Sequence, residues 1–408
     1  MARKTIAAKS KKIWQTTGDE LDSMVEAYTV GDDYLMDQLL LPYDIEASLA
    51  HAEMLKTIGI LSGPELKKAR LGLYKILTEY KKGNFIIRQG QEDGHMAIEE
   101  YLTAHYGDIG KKIHTGRSRN DQALVMVRLF MKDSLTEIAK LTERLAISFQ
   151  AKIKEAKNIP MPGYTHMQKA MPTTVGVWLD SYLAAIKDFI PMLKAARNLI
   201  DQNPLGSASG YGIDNLFLNR ELTTKKLKFA KTQKNPMYCG FSRGYFENIV
   251  LQALSQIMII AGRFASDMVI FTTQEFGFFS LPDSFTTGSS IMPQKRNYDI
   301  FEIMRGNAKV FHSYQARIQE IISSLGSGYH RDLTLTKKPL VLGINLCIDT
   351  IEILAKAMPN IRLNENRLKK AMTADLYATN EVYELVKKGR PFRDAYLEIK
   401  NKFKEKNS

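Results

Sequence analysis

Residues 123–157 contain neither glycine nor proline, and within them Leu124, Val127, Met131, Leu135, Ile138, Leu145 and Phe149 recur at helical spacing. At about 1.5 Å per residue this is roughly 50 Å of unbroken helix. An element of that length needs partners of similar length. Comparable patterns occupy 175–202, 245–276, 300–325 and 340–358, the first with Pro191 placed to kink it. Five such helices call for a bundle, so the expected fold class is all-α. Ile257, Met258, Ile259 and Ile260 run consecutively, as do Val269, Ile270 and Phe271. A helix apolar on every face must be buried on every face, which a lone five-helix bundle cannot arrange for each member. Packing against further copies of the chain is therefore expected.

Around these helices the sequence divides into an N-terminal helical region (1–112), a central long-helix region (113–361) and a small C-terminal helical unit (362–408). The first region has helical patterns at 43–58 and 64–82, the second of them opened by Ser62, Gly63 and Pro64. The C-terminal unit has them at 365–372 and 380–388. The stretch Arg3 to Lys12 is basic, and the last few residues are lysine-rich and expected to fray.

With 408 residues, 44% hydrophobic and 25% charged, the chain has the composition of a soluble protein with a substantial core. Its net charge of +13 is spread along the sequence, and no nucleic-acid module accompanies it. The charge reads as a solvated surface that helps steer an anionic substrate. Two cysteines, Cys239 and Cys347, make no disulfide framework and have no metal-ligand spacing, which fits a reducing, cytoplasmic setting. No apolar run follows the basic N-terminus, so no signal peptide is expected. The most apolar stretch, 254–271, is interrupted by Gln256, Arg263 and Asp267 and reads as a buried helix, not a membrane span. No metal cluster, nucleotide loop or cofactor motif is visible, so no cofactor is expected.

Three segments carry chemistry. In 287–297, Ser289 and Ser290 follow Gly288, and Lys295 and Asn297 follow Pro293, directly before a resumed helical pattern with Asp299 and Glu302. Such a loop can bring a hydroxyl to a substrate and hold developing negative charge. In 113–122, Arg117 and Arg119 stand beside Ser118, Asn120 and Gln122. Guanidinium forks match carboxylates bidentately, so this string suits a dicarboxylate, while Asn120 or Asp121 would cap the helix that follows. In 161–168, Thr165 and His166 lie in a loop bounded by Gly and Pro, where an imidazole can exchange protons near neutral pH.

Together these strings resemble the fumarase/aspartase superfamily of lyases and, within it, the argininosuccinate lyase branch, which the 114–122 string His-Thr-Gly-Arg-Ser-Arg-Asn-Asp-Gln selects. The resemblance continues at Asp44-Ile45 with Ser48, Glu92-Asp93 with His95, Pro204 to Ser207, Gly328 to Leu333 and Pro391-Phe392-Arg393. It implies a long-helix bundle whose central helices are shared in a homotetramer, with sites built from three chains. It also implies a reaction, removal of fumarate from argininosuccinate to leave arginine, a step of arginine biosynthesis.

Loss of a proton beside a carboxylate builds a dianion, which Lys295 and Asn297 would stabilise. The resemblance makes Ser289 the base and His166, oriented by Glu302, the acid for the leaving guanidine; which of Ser289 and His166 gives and which takes stays open. It carries substrate binding to Thr29, Ser118, Arg119, Asn120, Thr165, Asn297, Tyr329 and Lys337. The chain departs from the family pattern at Arg296 and Tyr298, at Thr334 where a glutamine is usual, at Gln15 to Thr17, and at Pro236, Ser242 and Gly244 around a retained Arg243. These changes touch substrate grip more than reaction type. The competing readings are a lyase for another succinyl adduct such as adenylosuccinate, and a catalytically silent protein of the same fold.

Overall fold

A computed structural model describes residues 22–405; the basic stretch Arg3 to Lys12, the Gln15 to Thr17 departure and the last residues from Lys406 lie outside them. Helices dominate. The N-terminal third holds α1 (Ser23–Val30), α2 (Asp33–Thr57), α3 (Gly63–Lys81), α4 (Gly94–Tyr106) and α5 (Asp108–Lys112). The long helices are α6 (Arg119–Ala156), α7 (Val175–Ile200), α9 (Pro236–Phe271), α10 (Asp299–Ser323) and α11 (Lys337–Ala357), with the short α8 (Arg220–Lys226) between the second and third. The chain ends in α12 (Glu365–Ala371), α13 (Ala378–Lys387) and α14 (Phe392–Glu405).

All five expected long helices are present, their ends within a few residues of the sequence reading except at α9. That helix begins at Pro236, nine residues earlier than expected, because it is two helices joined at Arg243 (ψ 127) and Gly244 (φ 75). Helix α7 continues through Pro191 and α2 through Pro42. Among the described helices α9 has the length and apolarity to cross a membrane, but 56% of that window is buried inside the protein.

The chain divides into two compact units. Unit 1 takes the chain up to Glu137 with Leu193–Leu254 and His312–Asn345; unit 2 takes Ile138–Met192, Ser255–Phe311 and Leu346 onward. The core of unit 1 packs Leu41, Ile45 and Leu55 of α2 against Leu73 and Ile76 of α3 and Ile98 and Leu102 of α4, all essentially inaccessible. Ser62 starts α3 with a reciprocal cap, accepting from Glu65 N while Glu65 accepts from Ser62 N at 2.8 Å. A second anchor is the fully buried Arg128, which donates to Gln202 O (2.9 Å) and Ser242 Oγ (2.9 Å) and lies over the Phe246 ring.

In unit 2, Trp178 stacks on Phe279 (5.1 Å) and on Phe264, and Asp267 accepts from Trp178 Nε1 (2.8 Å) and Tyr182 OH (2.7 Å). The two indole and phenol donors are thereby satisfied within the aromatic cluster they help build. A smaller cluster of Val382, Ala395 and Ile399 joins α13 to α14.

One segment differs from expectation. The Gly- and Pro-bounded stretch around His166 is a β-hairpin, with β1 (Pro160–Thr165) antiparallel to β2 (Gln168–Thr174). Its prolines, Pro162 and Pro172, face each other across a register shift that follows Pro162, where missing N–H donors are tolerated.

Candidate active site

Unit 1 contains a cavity of about 270 Å³ at the start of α6. Ser118 stands there as a helix cap: its Oγ accepts from Asn120 N (3.2 Å), and Asp121 Oδ1 accepts from Ser118 N (2.9 Å). The cap is thus Ser118, not Asn120 or Asp121 as the sequence reading had it. Asp121 instead reaches out with its second oxygen to Gly206 N (2.9 Å) and Ala208 N (3.1 Å), tying the 204–208 loop to the helix start. Burial pushes its carboxyl up to about 6 despite Arg117 and these amides.

Two cations carried over to substrate binding, Arg119 and Lys337, are already paired. Arg119 donates through Nη1 to Glu92 (2.5 Å) and faces Asp93 through Nε (3.3 Å). Lys337, 3% exposed, contacts Asp37 (2.5 Å) and Asp33 (3.0 Å). Burial works against its ammonium, but Asp37 and Asp33 outweigh it and hold the group charged beyond its ordinary range. Asp33, Asp37 and Asp44 recur along α2 at spacings of four and seven, which puts three carboxylates on one helical face. Glu92 is held at φ 65, a left-handed conformation unusual for a side chain that is not glycine.

A relay fixes one imidazole of the wall. Gln122 Nε2 donates to both oxygens of Asp44 (2.6 and 2.7 Å), so its Oε1 is left to accept from His95 Nδ1. That assigns the hydrogen to Nδ1 and leaves His95 Nε2 as the basic nitrogen. Burial, with Arg117 beside it, pushes His95 down to about 3, so the ring is neutral. His95 stacks on His114 with centroids 3.6 Å apart. His95, Glu99 and His114 lie within metal-ligand distance of one another, yet Arg117 Nη2 donates to His114 Nδ1 (2.6 Å) and Nε2 then donates to His95 O (3.2 Å). With both nitrogens of one ring committed and a guanidinium alongside, the trio is poorly suited to a cation.

The remaining motif residues lie in unit 2. His166 and Met167 form the two-residue turn of the hairpin, both with positive φ (51 and 62), the pattern of a type I′ turn. The turn presents His166 to solvent at the hairpin tip, next to the exposed Thr165, and Lys169 Nζ anchors the hairpin to Ala371 O (2.8 Å). The 287–297 loop is pinched at its base by two backbone hydrogen bonds, Thr287 N to Asn297 O (3.0 Å) and Asn297 N to Thr287 O (2.9 Å). Inside it, Ser289 Oγ accepts from Ile291 N (3.2 Å) and Met292 N (3.0 Å). Thr287 Oγ1 donates to Asp299, which joins the loop to the start of α10. Lys295 is exposed, Asn297 half-buried, and Glu302 exposed in the first turn of α10.

Of the residues anticipated from sequence, Ser118, Arg119, Asn120, Tyr329 and Lys337 line the unit 1 cavity. Thr29 is exposed on α1 and not among the lining residues; its hydroxyl donates to Val25 O (2.8 Å) and its carbonyl accepts from Arg331 (3.0 Å). Thr165 and His166 share the hairpin, and Ser289, Lys295, Asn297 and Glu302 share the loop and helix start. Sequence reasoning assigned no site role to Arg243, Asp33, Asp37 or His95, all on the cavity wall. The i, i+4 spacing of the two aspartates was a readable signal; the helix break that directs Arg243 was not.

A lyase family model matches residues 16–311. The argininosuccinate lyase of Thermotoga neapolitana is 41% identical over 97% of this chain and 98% of its own length, and that of Sorangium cellulosum is 40% identical over 96% and 90%. Among solved structures, class II fumarase from Schistosoma mansoni superposes with a TM-score of 0.77 at 16% identity, covering 93% of each chain. An EDDS lyase variant with bound fumarate gives 0.75 at 23% identity, covering 94% of this chain and 76% of its own. The two structures share the fold.

Proposed function

The chain belongs to the lyase family, and on that premise we propose that it eliminates fumarate from argininosuccinate to give arginine. Relatives named for that reaction, matching at about 40% identity over nearly the whole chain, support the reading. The observation that carries the chemistry is the setting of Ser289. Two backbone N–H groups aim at its Oγ, and such donors stabilise an oxyanion and so make the hydroxyl a competent base. Lys295 and Asn297, in the same pinched loop, would hold the second negative charge that builds on the substrate carboxylate as the proton leaves. His166, free at the hairpin tip, would protonate the departing guanidine nitrogen, with Glu302 orienting it.

Ser118, Arg119, Asn120, Thr165, Tyr329 and Lys337, with Thr29 at the margin, would bind the substrate. Arg119 and Lys337 would do so by exchanging chain carboxylates for substrate ones. The working form is a homotetramer in the cytoplasm. Large apolar side chains left exposed on the long helices, among them Ile147, Val177 and Ile303, support such association.

The test is fumarate release, measured at its ultraviolet absorbance, from argininosuccinate and separately from adenylosuccinate. Release from argininosuccinate alone is expected. Ser289→Ala should lower kcat by roughly 100-fold or more while argininosuccinate still binds, as loss of a positioned general base does. Release only from adenylosuccinate, or none from either, would overturn the reading.

A further inference from the structure

We propose that Tyr164 and Lys169 are positioning residues that hold His166 from below the hairpin turn and make α12 the abutment of the proposed acid. The role of His166 as that acid rests on the function proposed above. A two-stranded hairpin is marginal by itself, and a group that must meet a leaving nitrogen tolerates little displacement. His166 stands at the tip of such a hairpin, in a turn with positive φ at both residues. Its position therefore depends on what grips the strands.

Tyr164 and Lys169 are partners across the two strands, one pair below Thr165 and Gln168, which flank the turn. Residues directly opposite each other project from one face of the ribbon. Tyr164 leans on the Phe271 and Phe276 rings, with centroids 6.0 and 5.8 Å away. Lys169 Nζ donates to Ala371 O (2.8 Å) and Thr373 Oγ1 (3.4 Å). Ala371 is the last residue of α12, where a helix leaves carbonyls without an internal partner and favours a cation.

The two anchors close on each other. Phe278 packs on both Phe271 (5.7 Å) and Phe276 (5.4 Å), and its carbonyl accepts from Asn364 N (2.9 Å). Asn364 in turn caps α12, its side chain accepting from Arg367 N (3.1 Å). Leu363 pairs with Phe279, and Leu368 within α12 is fully buried, so the helix is rooted. From Tyr164 the contacts run through the aromatic rings to the start of α12, along the helix to Ala371, and back through Lys169 to the strand opposite Tyr164. Such a closed ring resists the rotation that a single anchor would allow. Lys169 is its exposed link, so a change there opens the ring without emptying the core.

The test is fumarate release from argininosuccinate by variants of the two anchors. Lys169→Met should lower kcat by about three- to tenfold, the contribution of one hydrogen bond, while KM changes by less than about twofold. Lys169→Arg, which can still reach a helix-end carbonyl, should retain at least about half of kcat. Tyr164→Leu opens the ring on its other side and should show the same split between kcat and KM. Combining it with Lys169→Met should cost less than the two losses multiplied, because one opening already frees the tip. An unchanged kcat in Lys169→Met, a loss carried in KM, or an equal loss in Lys169→Arg overturns the proposal; if Tyr164→Leu does not fold, the two Lys169 variants decide.

Amide hydrogen exchange reads the clamp without turnover. Exchange in the hairpin, and not in α7, should quicken by about threefold or more in Lys169→Met and return toward the wild-type rate in Lys169→Arg. Should the wild type release no fumarate, the function fails, and quickened exchange in the hairpin keeps the clamp standing. Unchanged exchange overturns the clamp in either case.

Discussion

His51 is fully buried on α2, donating Nε2–H to Thr115 O (3.0 Å), with Nδ1 unpartnered and Arg117 nearby. Burial, reinforced by the Arg117 charge, pushes its pKa down to about 3, and His95 moves the same way to about 3. A depressed folded-state pKa means that the unfolded chain binds the proton first. Stability from these rings is therefore complete above about pH 6.5 and drains away as pH falls toward 3. Asp44 and Asp121, pushed up to about 6 by burial, act oppositely: their contribution is complete below about pH 4 and is lost as pH rises through 6. His51→Gln should flatten the acid limb of a denaturant-midpoint profile, by up to about 1.4 kcal/mol per pH unit at neutral-to-acid pH. An unaltered slope would mean that His51 is not neutral in the folded state.

Arg119 offers the second test at the scale of a single side chain. Its guanidinium spans two carboxylates with two different nitrogens, which one ammonium cannot copy. Arg119→Lys should cut kcat/KM for argininosuccinate by at least about tenfold, the loss of roughly one charge-assisted hydrogen bond. Unchanged efficiency would reduce the residue to a helix-start surface charge.

At the scale of elements, the break in α9 is the most exacting feature. A Cβ at Gly244 would stand 2.4 Å from Ile322 Cγ2, and the backbone there has φ 75. Gly244→Ala should therefore cost about 2–4 kcal/mol, part from the left-handed conformation and part from overpacking. Thermal unfolding of the double variant Gly244→Ala with Ile322→Ala separates the two. Relief of the clash should make Ile322→Ala far less costly in the Gly244→Ala protein than in the wild type, and strict additivity of the two would show that the contact is not the cause.

The hairpin teaches a related lesson about legibility. Its Gly and Pro residues read as a loop because nothing local announces a partner strand, and the turn is formed by His166 and Met167, neither of them glycine or asparagine. Only pairing with β2, pinned through Lys169, makes that turn worthwhile. Placing a candidate acid on a strained two-residue tip is a tertiary outcome.

For the whole molecule, the prediction concerns assembly. The proposed acid and base stand on separate elements, the 160–174 hairpin and the 287–297 loop, and the resemblance to lyases with sites built from three chains implies that different subunits supply them. A dissociated and reassembled mixture of His166→Asn and Ser289→Ala proteins should then regain activity, since with random assortment roughly a quarter of sites carry neither change. Mass analysis verifies the mixing. Mixed oligomers that stay inactive would show that one chain supplies both groups.

The sequence alone determined the helical class, the five long elements and the residue types of the proposed reaction. Periodic apolar spacing and glycine- or proline-marked ends are local signals, and Ser118, Arg119, Asn120, Ser289 and Lys295 stand in contiguous strings. What it left undecided are the partners those residues find. Arg119 and Lys337 read as substrate-binding residues and are ion-paired within the chain, to carboxylates 26 and 27 positions away in one case and about 300 positions away in the other. Arg243 read as one retained residue in an altered segment and is buried on the cavity wall, its Nε and Nη2 without a hydrogen-bond partner. Pairing and desolvation depend on groups distant in sequence, so whether a charge is spent or available is fixed only when the chain folds and water is excluded.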